Sequence, residues 1–244
     1  MESSLQQNQA DSEIFALRDQ AQQDDPVAQF VRDGFLLIRV EILSVSLGPL
    51  REQFDAGMTH TWPVPRGPDW YHSYVEDCET VQSVCRTPQL LEAVASGIGG
   101  PFFLAQVEGR EPRKGGGGQR LHRDGQGFGG PVVISALAFL DDFGPENGAT
   151  RLVPGTHRGE PSESDLAEHP NVRTLDGKAG DILVFYADLL HSGTCNVSGA
   201  RRRSLLINFF PALLRDEHEA TCRIRDVHMP LAMFNAYPMH QGDL

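Results

Sequence analysis

The sequence predicts an α+β protein that is mainly β. Three observations predict this class. Segments before residue 100 combine helix-boundary residues with apolar residues on one face. From residue 101 onward, short apolar runs are broken by Gly, Pro and Asn without long helical patterns between them, which favours an antiparallel sandwich or barrel. No repeat or linker divides the chain, so the helices are expected to pack outside one β core.

The first ordered element is expected at Asp25, an N-cap residue followed by Pro26 at the first helical position, and Gly34 should end this helix. FLLIRV, residues 35–40, is typical of a buried strand. Residues 1–24 are polar and Gln-rich, which indicates a flexible leader before a single domain that covers residues 25–244.

Two further helices are predicted before the strands. In SLGPLREQFDAGM, Leu50, Phe54 and Met58 recur every four residues and therefore lie along one face of a helix. In TPQLLEAVASGIGG, Thr87 is a cap residue and Gly99 a stop signal. The expected strands that follow are PFFLAQVEG, PVVISALAFL, TRLVPG, DILVFYADLL and SLLINFF.

Composition narrows the classes of partner. The 21 basic and 33 acidic residues give a formal net charge of −12, which disfavours nucleic acid and anionic membranes and leaves a small-molecule substrate. The N-terminus lacks the pattern of a signal peptide, and no apolar run reaches membrane-spanning length, so a cytoplasmic protein is expected. The four cysteines form no CxxC pair and are expected to be reduced thiols. A homodimer is compatible with the sequence.

The stretch QRLHRDGQGFGG places His122 and Asp124 two residues apart. Such a triplet arises by chance about once in a chain of this composition, so the motif alone is weak. In a strand, however, residues i and i+2 face the same side, so an imidazole and a carboxylate would meet at one point. Non-haem iron(II) is held by two histidines and one carboxylate on one face, which requires a second histidine.

His191 is the candidate for that second histidine, because it ends one predicted strand and a loop leads back into the next. An antiparallel return would bring the start of the next strand beside His191. Alternation along that strand places Arg202, Ser204, Leu206 and Asn208 on one face. A buried arginine requires an anion, and its planar guanidinium matches a carboxylate, so a dicarboxylate co-substrate would fit Arg202.

The sequence resembles the phytanoyl-CoA dioxygenase (PhyH-like) family of Fe(II)- and 2-oxoglutarate-dependent oxygenases. The resemblance rests on three segments: QRLHRD, NGATRLVPGTHRGE (147–160) and GDILVFYADLLHSGTCNVSGARRRS. It implies a double-stranded β-helix, a jelly roll or cupin-like core with flanking N-terminal helices. It also implies Fe(II) bound by His122, Asp124 and His191, with 2-oxoglutarate paired to Arg202 and O2 as the oxidant. Asn196 matches the family's Asn between the distal histidine and the arginine.

Several positions keep two interpretations open. Thr150 is either a co-substrate contact or a turn cap. Gln119 is a co-substrate candidate, although a regular strand would place it on the pleat opposite His122. The family's upstream lysine has no counterpart here, so Arg110, Arg113 or neither takes its role. The tetraglycine at 115–118 is a lid or a simple connector.

DWYHSY, an aromatic cluster, would either line a substrate pocket or belong to the core. Its candidate substrate residues are Trp70, Tyr71, His72 and Tyr74.

The resemblance implies hydroxylation of a small-molecule metabolite with release of succinate and CO2. The retained carboxylate of Asp124 argues against halogenation, while desaturation, epoxidation or rearrangement would use the same ligands. Two other classes remain as alternatives. A non-catalytic metal-binding module would not convert 2-oxoglutarate to succinate, and a zinc hydrolase would work without oxygen but leaves Arg202 unexplained.

Overall fold

The structure is a computed structural model, and it describes residues 25–39, 41–64, 66–125, 127, 129–160 and 168–234. The predicted leader, residues 1–24, lies outside the described residues. The α-helices in the described ranges are α1 (Pro26–Asp33), α2 (Glu41–Gly57), α3 (Glu79–Val84), α4 (Pro88–Ile98) and α5 (Arg215–Arg225). No helix in this part of the chain is long and apolar enough to cross a membrane.

The strands form two antiparallel sheets. The strands are β1 (Phe35–Arg39), β2 (Trp70–Ser73), β3 (Phe102–Pro112), β4 (Ile134–Phe139), β5 (Thr150–Leu152), β6 (Arg173–Leu175), β7 (Asp181–Tyr186), β8 (His191–Gly193), β9 (Ser204–Pro211) and β10 (Met233–Phe234). The larger sheet has the order β1-β7-β4-β9-β3-β10, with β2 paired to β3, and the smaller has the order β6-β5-β8. Apart from the pairs β2–β3 and β5–β6, neighbouring strands are not consecutive in sequence, so the connections cross between strands that are not adjacent.

The predicted helix boundaries are confirmed for α1 and α4. The Asp25 carboxylate accepts a hydrogen bond from the N–H of Val27 at 3.0 Å, and Gly34 ends α1 with φ +84°, a left-handed conformation that glycine adopts without strain. Helix α4 begins after Thr87 and ends at Gly99, also left-handed. The Thr87 hydroxyl bonds the carbonyl of Val84 instead of capping the helix.

Other elements differ from the sequence prediction. Helix α2 begins at Glu41, earlier than the apolar pattern indicated, and Pro49 lies inside it. Strand β1 is mostly half-buried, and only Ile38 is fully buried, because this strand is at the edge of the larger sheet. The elements that were not predicted are short or lack a strong apolar period: strands β2, β6, β8 and β10 and helices α3 and α5.

The helices pack on the larger sheet and close one side of the core. Helix α4 contacts β7 and β4, α1 contacts α4 and β1, and α2 contacts β2. On α2, Leu50 and Phe54 are fully buried as predicted, while Met58 lies just beyond the helix and is half-buried. All four cysteines are free thiols, as expected.

Replacing Phe54 with Ala should lower the free energy of unfolding by ~3–5 kcal/mol, because a fully buried ring would leave a cavity between α2 and the sheet. Urea unfolding followed by circular dichroism measures this change. The matched control is Leu213→Ala, since the Leu213 side chain is 71% exposed and should cost little. Equal effects of the two substitutions would contradict the packing assigned to α2.

Candidate active site

His122 and Asp124 lie in an irregular segment after β3 and not in a regular strand, as the sequence argument assumed. Main-chain hydrogen bonds nevertheless hold the segment along β8 and the turn before it. The N–H of His122 donates to the carbonyl of His191 at 3.0 Å, and the N–H of His191 returns a bond to the carbonyl of His122 at 3.1 Å. The N–H of Asp124 donates to the carbonyl of Ala187. This pairing brings His122, Asp124 and His191 together.

The three side chains converge on one point. One donor atom from each lies within 4.8 Å of the other two, and this is the one such His/Cys/Asp/Glu group in the described ranges. The carboxylate of Asp124 is 3.6 Å from Nε2 of His122 and 3.4 Å from Nε2 of His191. Two ligands held at a right angle about 2.1 Å from one ion would be about 3 Å apart, so the two Asp–His separations are close to those of ligands on one metal ion.

Both imidazoles are oriented by the same local contact. Nδ1 of His122 lies 2.8 Å from the carbonyl of Arg120, and Nδ1 of His191 lies 2.8 Å from the carbonyl of Leu189. A carbonyl only accepts, so each Nδ1 carries the proton and each Nε2 presents its lone pair toward Asp124. The Asp124 side chain is 62% exposed and that of His191 is 9% exposed, so the site opens to solvent on the Asp124 side.

The strand pairing predicted for His191 is wrong. His191 begins β8 of the smaller sheet and does not end a strand, and β9 pairs with β3 and β4 of the larger sheet. Arg202 therefore approaches from the opposite sheet. Three members of the predicted face, Arg202, Ser204 and Leu206, nevertheless line the cavity that contains the three ligands. The fourth, Asn208, accepts a hydrogen bond from the hydroxyl of Ser135 and is not among the lining residues.

Arg202 is buried in this cavity without a carboxylate bonded to its side chain within the described ranges. Its Nη2 donates to the hydroxyl of Thr150 at 3.2 Å, its Nε has no hydrogen-bond partner, and its guanidinium lies 3.9 Å from the ring centre of Phe143. Burial and the nearby charge of Arg110 lower the pKa of Arg202 to about 9. The charged form of Arg202 thus calls for an anion in the cavity.

Thr150 and Gln119 both lie at the cavity. Thr150 begins β5, where its hydroxyl meets Arg202. Gln119 was expected to face away from His122, but its segment is irregular, and its side-chain oxygen accepts a hydrogen bond from the N–H of Gly193 at 3.2 Å. Asn196 organises the loop that leads to Arg202, because its side chain bonds the carbonyl of Pro112 and the N–H of Gly199.

The aromatic cluster is divided by the alternation of β2. Trp70 lines the cavity, while Tyr71 faces the other side of the strand and packs against Arg113. His72 lies on the Trp70 side, buried near Glu108. Tyr74 follows the strand and turns away, stacking on His60 and donating hydrogen bonds to Glu76 and Asp77. Tyr71 and Tyr74 therefore do not join the predicted substrate pocket.

Arg110 and Arg113 occupy different environments. Arg110 lines the cavity, and Arg113 lies on the outside against Tyr71. Of the four glycines between β3 and His122, Gly116 and Gly117 are buried, whereas Gly115 and Gly118 are exposed. A Cβ on Gly116 would lie 2.5 Å from the carbonyl oxygen of Asp69, and one on Gly117 would lie 2.5 Å from Pro112. These glycines permit a close approach of two backbone segments.

The apolar side of the cavity was not predicted from the sequence. Leu137 on β4 and Phe185 on β7 line it, and Phe185 contacts the imidazole of His191 with ring centres 5.0 Å apart. Their strands were predicted, but the inward face could not be assigned, because both faces of β4 and β7 are apolar and buried.

Comparison with known proteins agrees with this geometry. The sequence model of the family described as phytanoyl-CoA dioxygenase (PhyH) matches residues 69–204, more than half of the chain. An L-proline trans-4-hydroxylase from Streptomyces griseoviridis is 23% identical over 229 aligned positions, which cover 76% of this chain and 85% of that protein. The Fe(II)/2-oxoglutarate-dependent dioxygenase nvfF from Aspergillus novofumigatus is 36% identical over 98 positions, 40% of this chain. The chain spans 30% of nvfF and at most half of the fungal dioxygenases olcK, easH and trt7.

Solved structures share the fold. The epimerase SnoN from nogalamycin biosynthesis superposes with a TM-score of 0.63 at 18% identity, covering 77% of this chain and 82% of SnoN. HygX from Streptomyces hygroscopicus, solved with nickel and 2-oxoglutarate bound, also gives a TM-score of 0.63 at 18% identity, covering 77% of this chain and 86% of HygX.

An antiparallel two-sheet fold with a His-Asp-His cluster and a buried arginine at one cavity defines an oxidoreductase of the Fe(II)- and 2-oxoglutarate-dependent oxygenase class. Within that class, the chain belongs to the phytanoyl-CoA dioxygenase family.

Acid should destabilise the fold through His72. Burial disfavours its imidazolium and lowers its pKa from 6.5 to about 4, although Glu108 opposes the shift. Between these values the unfolded chain binds a proton that the folded chain does not, so the free energy of unfolding falls as the pH drops from 6.5 toward 4. The complete shift of the His72 pKa corresponds to a loss of ~3 kcal/mol in the free energy of unfolding. Urea unfolding at a series of pH values measures this free energy. In His72→Gln, the part of the acid-induced decrease that comes from His72 should be absent.

The matched control is His228→Gln, which should have the opposite sign. The hydrogen bond to Asp226 raises the pKa of the exposed His228, so its stabilising charge is present at low pH and is lost as the pH rises. Removing it should steepen the loss of stability in acid. A His72→Gln variant with the pH dependence of the parent protein would show that His72 is not buried as a neutral ring.

Proposed function

We propose that the chain is a non-haem Fe(II)- and 2-oxoglutarate-dependent hydroxylase of a small molecule, releasing succinate and CO2. His122, Asp124 and His191 would bind Fe(II), and Arg202 would pair with 2-oxoglutarate. One observation carries the proposal: a convergent His-Asp-His group and a buried arginine with an unpartnered Nε lie in the same cavity.

The donor set fits iron(II). Two neutral imidazole nitrogens and one carboxylate on one side of an ion leave the other side open, which suits a metal that binds a co-substrate and oxygen. The carbonyls of Arg120 and Leu189 keep both Nε2 atoms deprotonated and aimed at Asp124. The carboxylate of Asp124 would supply the anionic ligand, 3.6 Å from Nε2 of His122 and 3.4 Å from Nε2 of His191.

The opposite end of the cavity fits a dicarboxylate. A carboxylate beside Arg202 would accept hydrogen bonds from Nε, which has no partner, and from a second nitrogen of the guanidinium. The Thr150 hydroxyl, which accepts a hydrogen bond from Nη2, would hold the guanidinium in position. Gln119 would support this region through its bond to Gly193 at the end of β8. Thr150 and Gln119 are therefore proposed as co-substrate residues together with Arg202.

The iron and 2-oxoglutarate together supply the oxidation of an unactivated C–H bond. The protein positions the reactants and restricts water. Leu137 and Phe185 provide an apolar wall beside His191, and Trp70 covers the region near Arg202, with 5.9 Å between its ring centre and the guanidinium carbon. The open side at Asp124 leaves room for the substrate to enter.

Hydroxylation is favoured by the relative named L-proline trans-4-hydroxylase and by the retained carboxylate of Asp124. Epimerisation and carbocyclisation are named for SnoN and SnoK, which share the fold, so rearrangement, desaturation and epoxidation are the competing outcomes. Of the aromatic candidates, Trp70 is proposed to contact the substrate, and His72 to back the wall beside it.

We also propose that the two sheets form a double-stranded β-helix and that residues 25–244 make one domain. The shared fold with HygX and SnoN supports the first point. A small-molecule substrate is proposed, while the cytoplasmic location, the absence of nucleic-acid binding and a homodimer stay predictions of the sequence.

Anaerobic addition of Fe(II) and 2-oxoglutarate should produce the weak visible charge-transfer band of a bidentate chelate. His191→Ala should abolish the band, because it removes the most buried ligand. His228→Ala is the matched control, since His228 lies outside the cavity and should keep the band. A parent protein that binds metal tightly but shows no band would refute the proposed chemistry.

Arg202→Gln should raise the dissociation constant of 2-oxoglutarate about 100-fold, since two charge-assisted hydrogen bonds would be lost. Titration of the same band with 2-oxoglutarate gives the constant, and iron binding should be unchanged. The exposed Arg120, which precedes the metal segment, provides the control Arg120→Gln. A change of less than about threefold in Arg202→Gln would assign the co-substrate to another residue.

A further inference from the structure

A charged wall extends from the cavity along β3. Arg110 pairs with Ser204, and Glu108 pairs with Leu206, in the antiparallel register of β3 and β9. Directly opposite residues project from the same face of a sheet. Ser204 and Leu206 line the cavity, as does Arg110 itself, so Glu108 continues the same wall away from the metal ligands.

Glu108 is the centre of an ion-pair network in this wall. It is 2% exposed, and its carboxylate lies 2.5 Å from Nε of Arg110 and 3.3 Å from Nη2 of Arg66. The side-chain amide of Gln106 also donates to Glu108 at 3.3 Å. The side-chain oxygen of Gln106 in turn accepts a hydrogen bond from Arg225 on α5 at 3.3 Å. Elements distant in sequence thus bring two guanidinium groups to the Glu108 carboxylate and a third to the adjacent Gln106.

The wall carries a surplus of positive charge. Arg66, Arg110 and Arg225 contribute three charges, and Glu108 is the one carboxylate bonded to this network within the described residues. His72 is adjacent but neutral at physiological pH, because burial lowers its pKa to about 4. Of these three arginines Arg110 lines the cavity, and the other two place further positive charge around Glu108 and Gln106 in a chain whose formal net charge is −12. Such a concentration costs free energy unless an anion binds there.

Arg110 is the member of the network that reaches the cavity. Glu108 holds its Nε, and its Nη1 and Nη2 have no hydrogen-bond partner in the described part of the chain. Its side chain is 34% exposed, so these two donors are accessible. A guanidinium fixed at Nε presents a planar pair of N–H donors that matches an oxyanion bidentately.

We propose that Arg110, fixed by Glu108, binds an oxyanion of the substrate, so that the substrate is a small acid carrying a carboxylate or phosphate. This inference rests on the proposed function, which assigns Arg202 to 2-oxoglutarate and leaves the charge of Arg110 for a second anion. Arg66 and Arg225 supply the surrounding positive field. The apolar side formed by Leu137 and Phe185 is left for the part of the substrate that is oxidised.

The two tryptophans of the chain provide a readout that does not require the substrate to be known. Trp70 lines the cavity, and the guanidinium of Arg66 lies 4.3 Å from the ring centre of Trp62. Arg110 shares the cavity with Trp70 and is paired across the strands with His72, whose ring centre is 6.3 Å from that of Trp62, so an anion that binds at Arg110 should change the tryptophan fluorescence.

The experiment uses the full chain with Fe(II) and saturating 2-oxoglutarate under anaerobic conditions, so that Arg202 is occupied. Tryptophan fluorescence is recorded during titration with sodium acetate and, separately, inorganic phosphate at constant ionic strength, with acetamide as the neutral analogue. At least one anion should give a saturable change, and acetamide should give none. Acetate and phosphate distinguish a carboxylic from a phosphorylated substrate.

Arg110→Gln should weaken anion binding by at least about tenfold. It should leave the 2-oxoglutarate affinity, measured in the same cuvette by the charge-transfer band, within about twofold of the parent value. The matched control is Arg113→Gln, which removes the same charge three residues away on the outside. Arg110→Lys should retain part of the binding because it retains the charge.

Three results would overturn the inference: no saturable fluorescence change with either anion, equal anion titrations for the parent and Arg110→Gln, or a loss of 2-oxoglutarate affinity in Arg110→Gln as large as its loss of anion affinity.

If removal of Arg110 alone prevents folding, the double variant Glu108→Gln/Arg110→Gln removes both charges together, and it should fold without binding the anion. Absence of the charge-transfer band in the parent would refute the proposed function, whereas the fluorescence titration separately reports on Arg110.

Discussion

The reciprocal main-chain hydrogen bonds between His122 and His191 are the constraint on which the site depends. They fasten the segment that follows β3 of the larger sheet to β8 of the smaller sheet. Each imidazole then bonds the carbonyl two residues before it, at Arg120 or Leu189. One backbone contact and one repeated side-chain contact thus fix the position, rotation and protonation of both rings. Gly193 on β8 allows the segment to come this close, because a Cβ there would lie 2.5 Å from the carbonyl oxygen of Gly117.

The second organising feature is positive charge in a low-dielectric cavity. Arg202 is buried against Phe143 with one hydrogen bond from its guanidinium, to Thr150. Arg110 lines the same cavity with two unbonded donor nitrogens in the described structure. Like charges at such a site raise the free energy of the ligand-free protein, and bound anions lower it. Binding of anionic reactants therefore offsets the free-energy cost of holding the positive charges of Arg202 and Arg110 in the cavity.

Local sequence features were sufficient to predict the helix boundaries and strand faces that depend on interactions within a few residues. Helix α1 begins after Asp25 and ends at Gly34, as predicted. An N-cap and a left-handed glycine act on the backbone within a few residues, so their effect can be read from the sequence. The alternation that groups Arg202 with Ser204 and Leu206 was also correct, since the pleat of a strand does not depend on its neighbours. The grouping of His122, Asp124 and His191 followed from ligand chemistry together with the family resemblance.

The tertiary structure decided which strands become neighbours and hence what surrounds each side chain. The sequence could not show that His191 and β9 belong to different sheets, or that Gln119 turns toward the cavity from an irregular segment. It also gave no sign that Arg225 on α5 would join Glu108, more than a hundred positions away, through Gln106. Residue types and local spacing determine the secondary structure and the chemistry that is available. The pairing of strands that are distant in sequence arises only when the apolar surface of the whole chain is buried together. This pairing brings the reactive side chains into one cavity.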